Sequence, residues 1–241
     1  MDTARIAALL EPFLEPSLSE SQLDQISIYI DLLLRWNARI NLTAIRNEEE
    51  IVTRHFGESF FLARHLFPKP CHPNPERAEG KEPAGVLGST GYWLLVTGNC
   101  PPRVLDIGSG AGFPALPLKI WAPRIHLTLV ESNHKKTAFL REVARALTLT
   151  NINVITDRVE TVAARRGPDF PQADVVTLRA VERFAAILPQ AVSFLAPKGT
   201  VALLTTTPQI PQLTHLPPLK WHPPIHIPQS HSKVLLIGYK A

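Results

Sequence analysis

The chain has 241 residues, 45% of them hydrophobic, a net charge of +4 and two cysteines. This is enough apolar material for one substantial core with a small appendage, and it argues against extensive disorder and against a disulfide framework. No apolar run reaches the roughly 20 residues that span a bilayer, and Asp2 and Glu11 interrupt any secretory leader; a cytoplasmic protein that binds no membrane is expected.

Residues 1–67 read as a helical subdomain. Ser19 followed by Gln22 fits a capping box, and Leu23, Ile26, Ile30 and Leu33 then recur at helical spacing. A second helix is expected over 48–66, with Ile51, His55, Ser59 and Leu62 or Ala63 on one side. Between the two helices, Trp36 to Thr43 form a polar turn. Residues 68–102 are rich in proline and glycine and suit an exposed insertion or linker, with a short strand at Tyr92–Val96.

From 103 to 241 the pattern alternates. Strands are expected at 103–107, 125–130, 152–156, 173–178, 200–205 and 233–239, and helices at 113–121, 133–147, 158–165 and 182–195. Such alternation builds an α/β fold: a mostly parallel, Rossmann-like sheet flanked by helices. The prolines from Pro208 to Pro224 mark a long loop before the last strand.

The stretch Val104-Leu105-Asp106-Ile107-Gly108-Ser109-Gly110-Ala111-Gly112-Phe113 carries most of the information. An apolar strand ends at an acid, and three alternate glycines let the backbone turn and approach a ligand closely. Open α/β sheets bind ligands at this carboxyl edge. The spacing is neither the dinucleotide fingerprint nor a P-loop; it resembles the cofactor turn of class I methyltransferases that use S-adenosyl-L-methionine. Glu131, at the end of the second strand, is placed to accept from the two hydroxyls of a ribose; a helix-capping acid is the plainer alternative. Val159 and Glu160 follow the third strand, where an adenine ring has room, although Glu160 also suits a helix's first turn. Arg179 ends the fourth strand, facing a methionine carboxylate or a substrate, with a peripheral ion pair as the alternative.

Taken together, Leu34-Arg35-Trp36-Asn37, Ile40-Asn41-Leu42-Thr43-Ala44-Ile45, Arg54-His55-Phe56, Glu58-Ser59, Val104–Pro117, Asp157–Glu160 and Leu178-Arg179-Ala180 resemble the RsmG/GidB family. The resemblance spans roughly 20–67 and 103–205. It implies methylation of a guanine N7 in small-subunit ribosomal RNA, with S-adenosyl-L-methionine contacted at Gly108, Phe113, Val159, Glu160 and Arg179. Gly110 and Glu131 join that set from the strand-and-turn reading. This chain departs from the family in carrying Glu58 for an aspartate, Thr205-Thr206-Thr207 for a Lys-Gly pair, a longer 68–102 segment, and Lys233 near a usual arginine.

No catalytic residue and no metal are expected. Guanine N7 offers a free lone pair, so alignment suffices; neither an adenine-N6 motif nor a strand-end cysteine for cytosine C5 is present. His222, His226 and His231 lack the partners a metal site needs. The partner implied is small-subunit ribosomal RNA or a ribosomal particle, bound by a monomer. Arg35, Arg39, Arg46, Arg54, Arg64, Lys135, Lys136, Arg141 and Arg145 are candidate phosphate contacts, or else solvated helix faces. His55 is read as a ligand contact or a packing histidine, and Trp36 as core. The alternatives are a small-molecule methyltransferase and a non-catalytic RNA- or ribosome-binding protein on the same fold.

Overall fold

The computed structural model describes residues 1–15, 17–67, 101–165, 167, 170–179, 184–215 and 219–240. Helix α1 (Thr3–Leu10) leads through a 3-10 turn to α2 (Glu20–Asn37). The Ser19–Gln22 capping box forms: Gln22 N donates to Ser19 Oγ, and Ser19 N donates to Gln22 Oε1. Ile26, Ile30 and Leu33 are fully buried, as their spacing requires. The helix expected over 48–66 is interrupted. It starts as α3 (Glu48–Ile51), widens into a π-helical turn over Val52–Gly57, and resumes as α4 (Glu58–Leu66). A π turn inserts one residue into the helical register, so one stripe of side chains cannot run straight across it; such turns occur frequently at functional sites. The strand expected at Tyr92–Val96, and both cysteines, lie outside the described residues.

Strands β1 (Arg103–Ile107), β2 (His126–Glu131), β3 (Ile152–Thr156), β4 (Ala173–Arg179) and β5 (Leu195–Thr206) pair in parallel. Helices α5 (Ala115–Trp121), α6 (His134–Ala146), α7 (Val159–Arg165) and α8 (Phe184–Ser193) connect them in turn. After β5, α9 (Ile210–Thr214), β6 (Leu219–Trp221), β7 (Ile225–His226) and β8 (Lys233–Lys240) follow. The order across the sheet is β3-β2-β1-β4-β5-β8-β6, with β8 antiparallel to β5, and β7 also pairs with β8. Two expectations change. The proline-rich stretch before the last strand is not simply a loop, because α9, β6 and β7 lie in it. β5 also begins at Leu195 rather than 200, with a register irregularity opposite Ala173/Val175 and Lys198 at positive φ.

Side chains alternate across the strands and fill two cores. On one face, Val104, Leu127, Leu129, Val175, Ala202, Leu204, Leu235 and Ile237 pack under α5, α6 and the N-terminal helices in a single apolar cluster. On the other, Leu105, Ile107, Val176, Leu178, Val201, Leu203 and Leu236 pack under α7, α8 and α9. The same parity puts Asp106, Thr177 and Arg179 on the first face. They stand at the carboxyl edge of the sheet, against the N-terminal helical layer.

Candidate active site

At the crossover from β1 to α5 the backbone takes positive φ at Gly108, Gly110 and Gly112. Gly108 N and Ser109 N donate to Val130 O, which pins the turn to the end of β2. Gly110 N donates to Glu131 Oε2 at 2.9 Å, and Asn133 N donates to Glu131 Oε1 at 2.8 Å. The capping residue of α6 is Asn133, which accepts from Lys135 N and Lys136 N, so Glu131 itself spans turn and helix. A carboxylate has about four acceptor positions, and two of Glu131's remain for a diol.

Asp106 is buried beside this turn, at 1% exposure. Its Oδ1 accepts from Thr177 Oγ1 at 2.6 Å, while Oδ2 has no partner. Burial pushes its pKa from 3.8 up to about 6; the Thr177 hydroxyl opposes that shift.

Phe113 closes the turn from the N-terminal side. Its ring stacks on Tyr29 (5.3 Å between centroids, 6° between planes) and on His55 (4.7 Å, 17°), and meets the edge of Phe56. Tyr29 Oη donates to Ala111 O at 2.5 Å. Helix α2 thus holds the glycine turn directly, a role that nothing in the local sequence around Tyr29 announces.

Arg179 is not the peripheral ion pair weighed above, since its side chain is only 12% exposed. Nη2 meets three acceptors: Arg54 O at 2.6 Å, His55 Nδ1 at 3.1 Å and Glu58 Oε2 at 3.0 Å. Nη1 has no partner. Glu58 Oε1 accepts from Lys233 Nζ at the start of β8. The two departures noted in the sequence, Glu58 and Lys233, therefore pair with each other, the carboxylate buried and the ammonium half-buried. The His55 pKa falls from 6.5 to about 3, first through burial and then through Arg179, Lys233 and Arg54. The ring is neutral, and with Nδ1 accepting, its proton lies on Nε2, facing Thr43 Oγ1 at 2.8 Å.

The structure thus joins Gly108, Gly110, Phe113, Glu131 and Arg179 around one carboxyl edge. Val159 is buried at the start of α7, in the core of the opposite face, and Glu160 is exposed beside it. Both follow β3, the neighbour of β2, and Val159 shares its apolar cluster with Ile107 and Val130. Among the phosphate candidates, Arg141 donates to Val154 O and Thr156 Oγ1, Arg54 pairs with Glu50, and Arg64 lies over the Phe61 ring. Trp36 bridges to α6 through Glu142 and Phe139. The described residues contain no cluster of metal-ligating side chains and no helix long and apolar enough to cross a membrane.

S-Adenosylmethionine, implied by the glycine turn, fits the residues present. Two buried groups of opposite sign, Asp106 Oδ2 and Arg179 Nη1, are unpartnered at the same edge, and a zwitterionic amino-acid end matches them. Gly110 has no heavy atom closer than 3.8 Å to the place of a Cβ, so its backbone is open to approach.

A parallel sheet closed by an antiparallel strand, with a glycine turn and a strand-end acid at its carboxyl edge, defines a class I S-adenosylmethionine-dependent methyltransferase. The family model for rRNA small subunit methyltransferase G (GidB) matches residues 22–69 and 86–215, and the chain belongs to that family. It is 40% identical over 191 residues to the Ribosomal RNA small subunit methyltransferase G of Roseiflexus castenholzii, covering 76% of this chain and 68% of the relative. To the Bacillus subtilis protein of the same name it is 34% identical over 172 residues, covering 71% and 59%. Among solved structures, TrmN from Thermus thermophilus aligns at 22% identity with a TM-score of 0.47, over 58% of this chain and 45% of that one.

Proposed function

We propose that the protein transfers a methyl group from S-adenosylmethionine to the N7 of a guanine in small-subunit ribosomal RNA, acting in the cytoplasm as a monomer on the RNA or a ribosomal particle. The observation that carries this reading is the pair of unpartnered, buried, opposite charges, Asp106 Oδ2 and Arg179 Nη1, beside the Gly108–Phe113 turn in a chain of this family. Arg179 would hold the methionine carboxylate and Asp106 the ammonium. Glu131 would accept from the ribose hydroxyls, Gly108 and Gly110 would give the backbone approach, and Val159 and Glu160 would flank the adenine.

When bound, the cofactor supplies a methyl group already activated on a sulfonium. The protein's own residues then have no proton to remove, because guanine N7 carries a free lone pair. Their work is alignment and exclusion of water, and proximity of this kind is worth about 7–11 kcal/mol in favourable cases. The ring of Phe113, backed by His55 and Tyr29, would give the site an apolar wall. Incubation with methyl-labelled S-adenosylmethionine and small-subunit RNA, followed by mapping of the modified base, tests the reading. Label at one guanine N7 is expected; label elsewhere, or transfer to metabolites alone, overturns it.

A further inference from the structure

Arg179 is set from outside the sheet. Its Nη2 has two hydrogens and three acceptors, Arg54 O, His55 Nδ1 and Glu58 Oε2, all supplied by the π turn and the first residue of α4. This fixes the guanidinium with Nη1 turned away from them and unpartnered. The chain of contacts does not stop there. His55 Nε2 donates to Thr43 Oγ1, which also accepts from Ile45 N at 3.1 Å. Thr43 in turn is clamped by Asn37 at the end of α2: Asn37 Oδ1 accepts from Leu42 N at 2.9 Å and Thr43 N at 3.1 Å, and Nδ2 donates to Thr43 O at 2.9 Å. Asn37 is 6% exposed, so its amide belongs to the interior rather than to a solvated turn.

We propose that Asn37, Thr43 and His55 are positioning residues for the methyltransferase reaction. Acting as a relay from the N-terminal helical layer, they hold the Arg179 guanidinium so that Nη1 faces the cofactor site. The inference rests on the cofactor role of Arg179 given above. Two features favour a relay over ordinary packing. Arg179 can only donate, so although its two Nη2 hydrogens are shared among three acceptors, a contact with His55 Nδ1 implies the Nε2–H tautomer and ties the ring's orientation to the arginine's. The relay also ends on a free donor rather than on a closed pair. Buried networks of this sort fix one geometry when every internal member is satisfied, and hydrogen-bonded supports of a site are where small displacements cost most.

The test is calorimetric binding of S-adenosylhomocysteine, with melting temperature read in parallel. Thr43→Val keeps the shape and removes the hydroxyl, and His55→Ala removes the relay ring. Each is expected to weaken binding about 10-fold, the scale of one hydrogen bond to a charged group. His55→Asn restores an acceptor near the position of Nδ1 and should recover most of that loss, which a packing role would not predict. In an Arg179→Met background, Thr43→Val should have no further effect on affinity, because the residue it acts through is gone. In turnover, the variants should raise the KM for S-adenosylmethionine and leave kcat within about threefold. Wild-type-like binding by Thr43→Val and His55→Ala overturns the relay and leaves the cofactor site standing. So does a loss that adds fully to Arg179→Met, or one that His55→Asn fails to recover. No binding by the wild-type protein overturns both this inference and the reading it rests on.

Discussion

Asp106 is held by a fold that penalises its charge. Its folded-state pKa of about 6 lies above the ordinary 3.8, so the group stabilises the fold most below about pH 4, and that contribution is lost as pH rises through about 6. The difference is worth at most about 3 kcal/mol. In the absence of ligand, Asp106→Asn should therefore be the more stable protein at pH 8 and lose its advantage by pH 4. Denaturant melts at the two pH values measure this, and the same variant should bind S-adenosylhomocysteine more weakly. Glu58 presents the opposite case. It is 4% exposed and neutralises both Arg179 and Lys233. Glu58→Gln leaves two cations facing each other and should cost about 3 kcal/mol, read as a fall of roughly 10 °C in Tm. At this scale the sequence was uneven. Glu131 and Arg179 stand at strand ends and Gly110 in the turn just after one, positions that local pattern marks. The link from Tyr29 to Ala111 and the tie from Glu58 to Lys233 span 82 and 175 residues, and no local pattern encodes them.

At the scale of elements, the glycine turn separates two demands that look identical in the sequence. A Cβ on Gly112 would lie 2.4 Å from Tyr29 Oη and 2.6 Å from Leu116 Cδ1, at φ +87°. Gly112→Ala should displace α2 from the turn, with a loss above about 2 kcal/mol in a denaturant titration. At Gly110 the φ of +55° is tolerable for alanine at about 1 kcal/mol, and the space is open. Gly110→Ala should thus melt within a few degrees of wild type yet lose cofactor affinity by more than its stability loss explains. The long elements were legible because their periodicity is strong: β1 and β3 fall where expected, and the other long strands and the helices from α5 to α8 shift by only a few residues, apart from the early start of β5. The π turn was not, because Ile51, His55, Ser59 and Leu62 keep a spacing that an unbroken helix would also show. Nor were β6 and β7, of three and two residues. They exist because β8 offers a paired edge, and Trp221 lies over Gly238 across that pairing.

For the whole molecule, the N-terminal helices are not an appendage to a finished domain. They supply Ile26, Tyr29, Ile30, Phe56, Phe60 and their neighbours to the same apolar cluster as Val104, Leu129 and Val175. A truncated protein beginning at residue 101 would keep α5 and α6 but uncover the apolar residues that the N-terminal helices bury, an exposed patch of the kind soluble monomers avoid. It should aggregate or lack cooperative unfolding, as calorimetry and light scattering would show. The sequence showed a helical segment followed by an α/β segment. That the two share a core follows only from which strand face the helices cover.

Lys233 meets Glu58 only after β8 has taken its place beside β5. The arginine cradle that begins at Arg54 is therefore completed by a residue made 175 positions after Glu58. While a ribosome is still synthesising this protein, the growing polypeptide has every glycine of its turn but lacks the second cation that holds Glu58, and competence for ligand should arrive only once β8 has docked rather than accumulate with length.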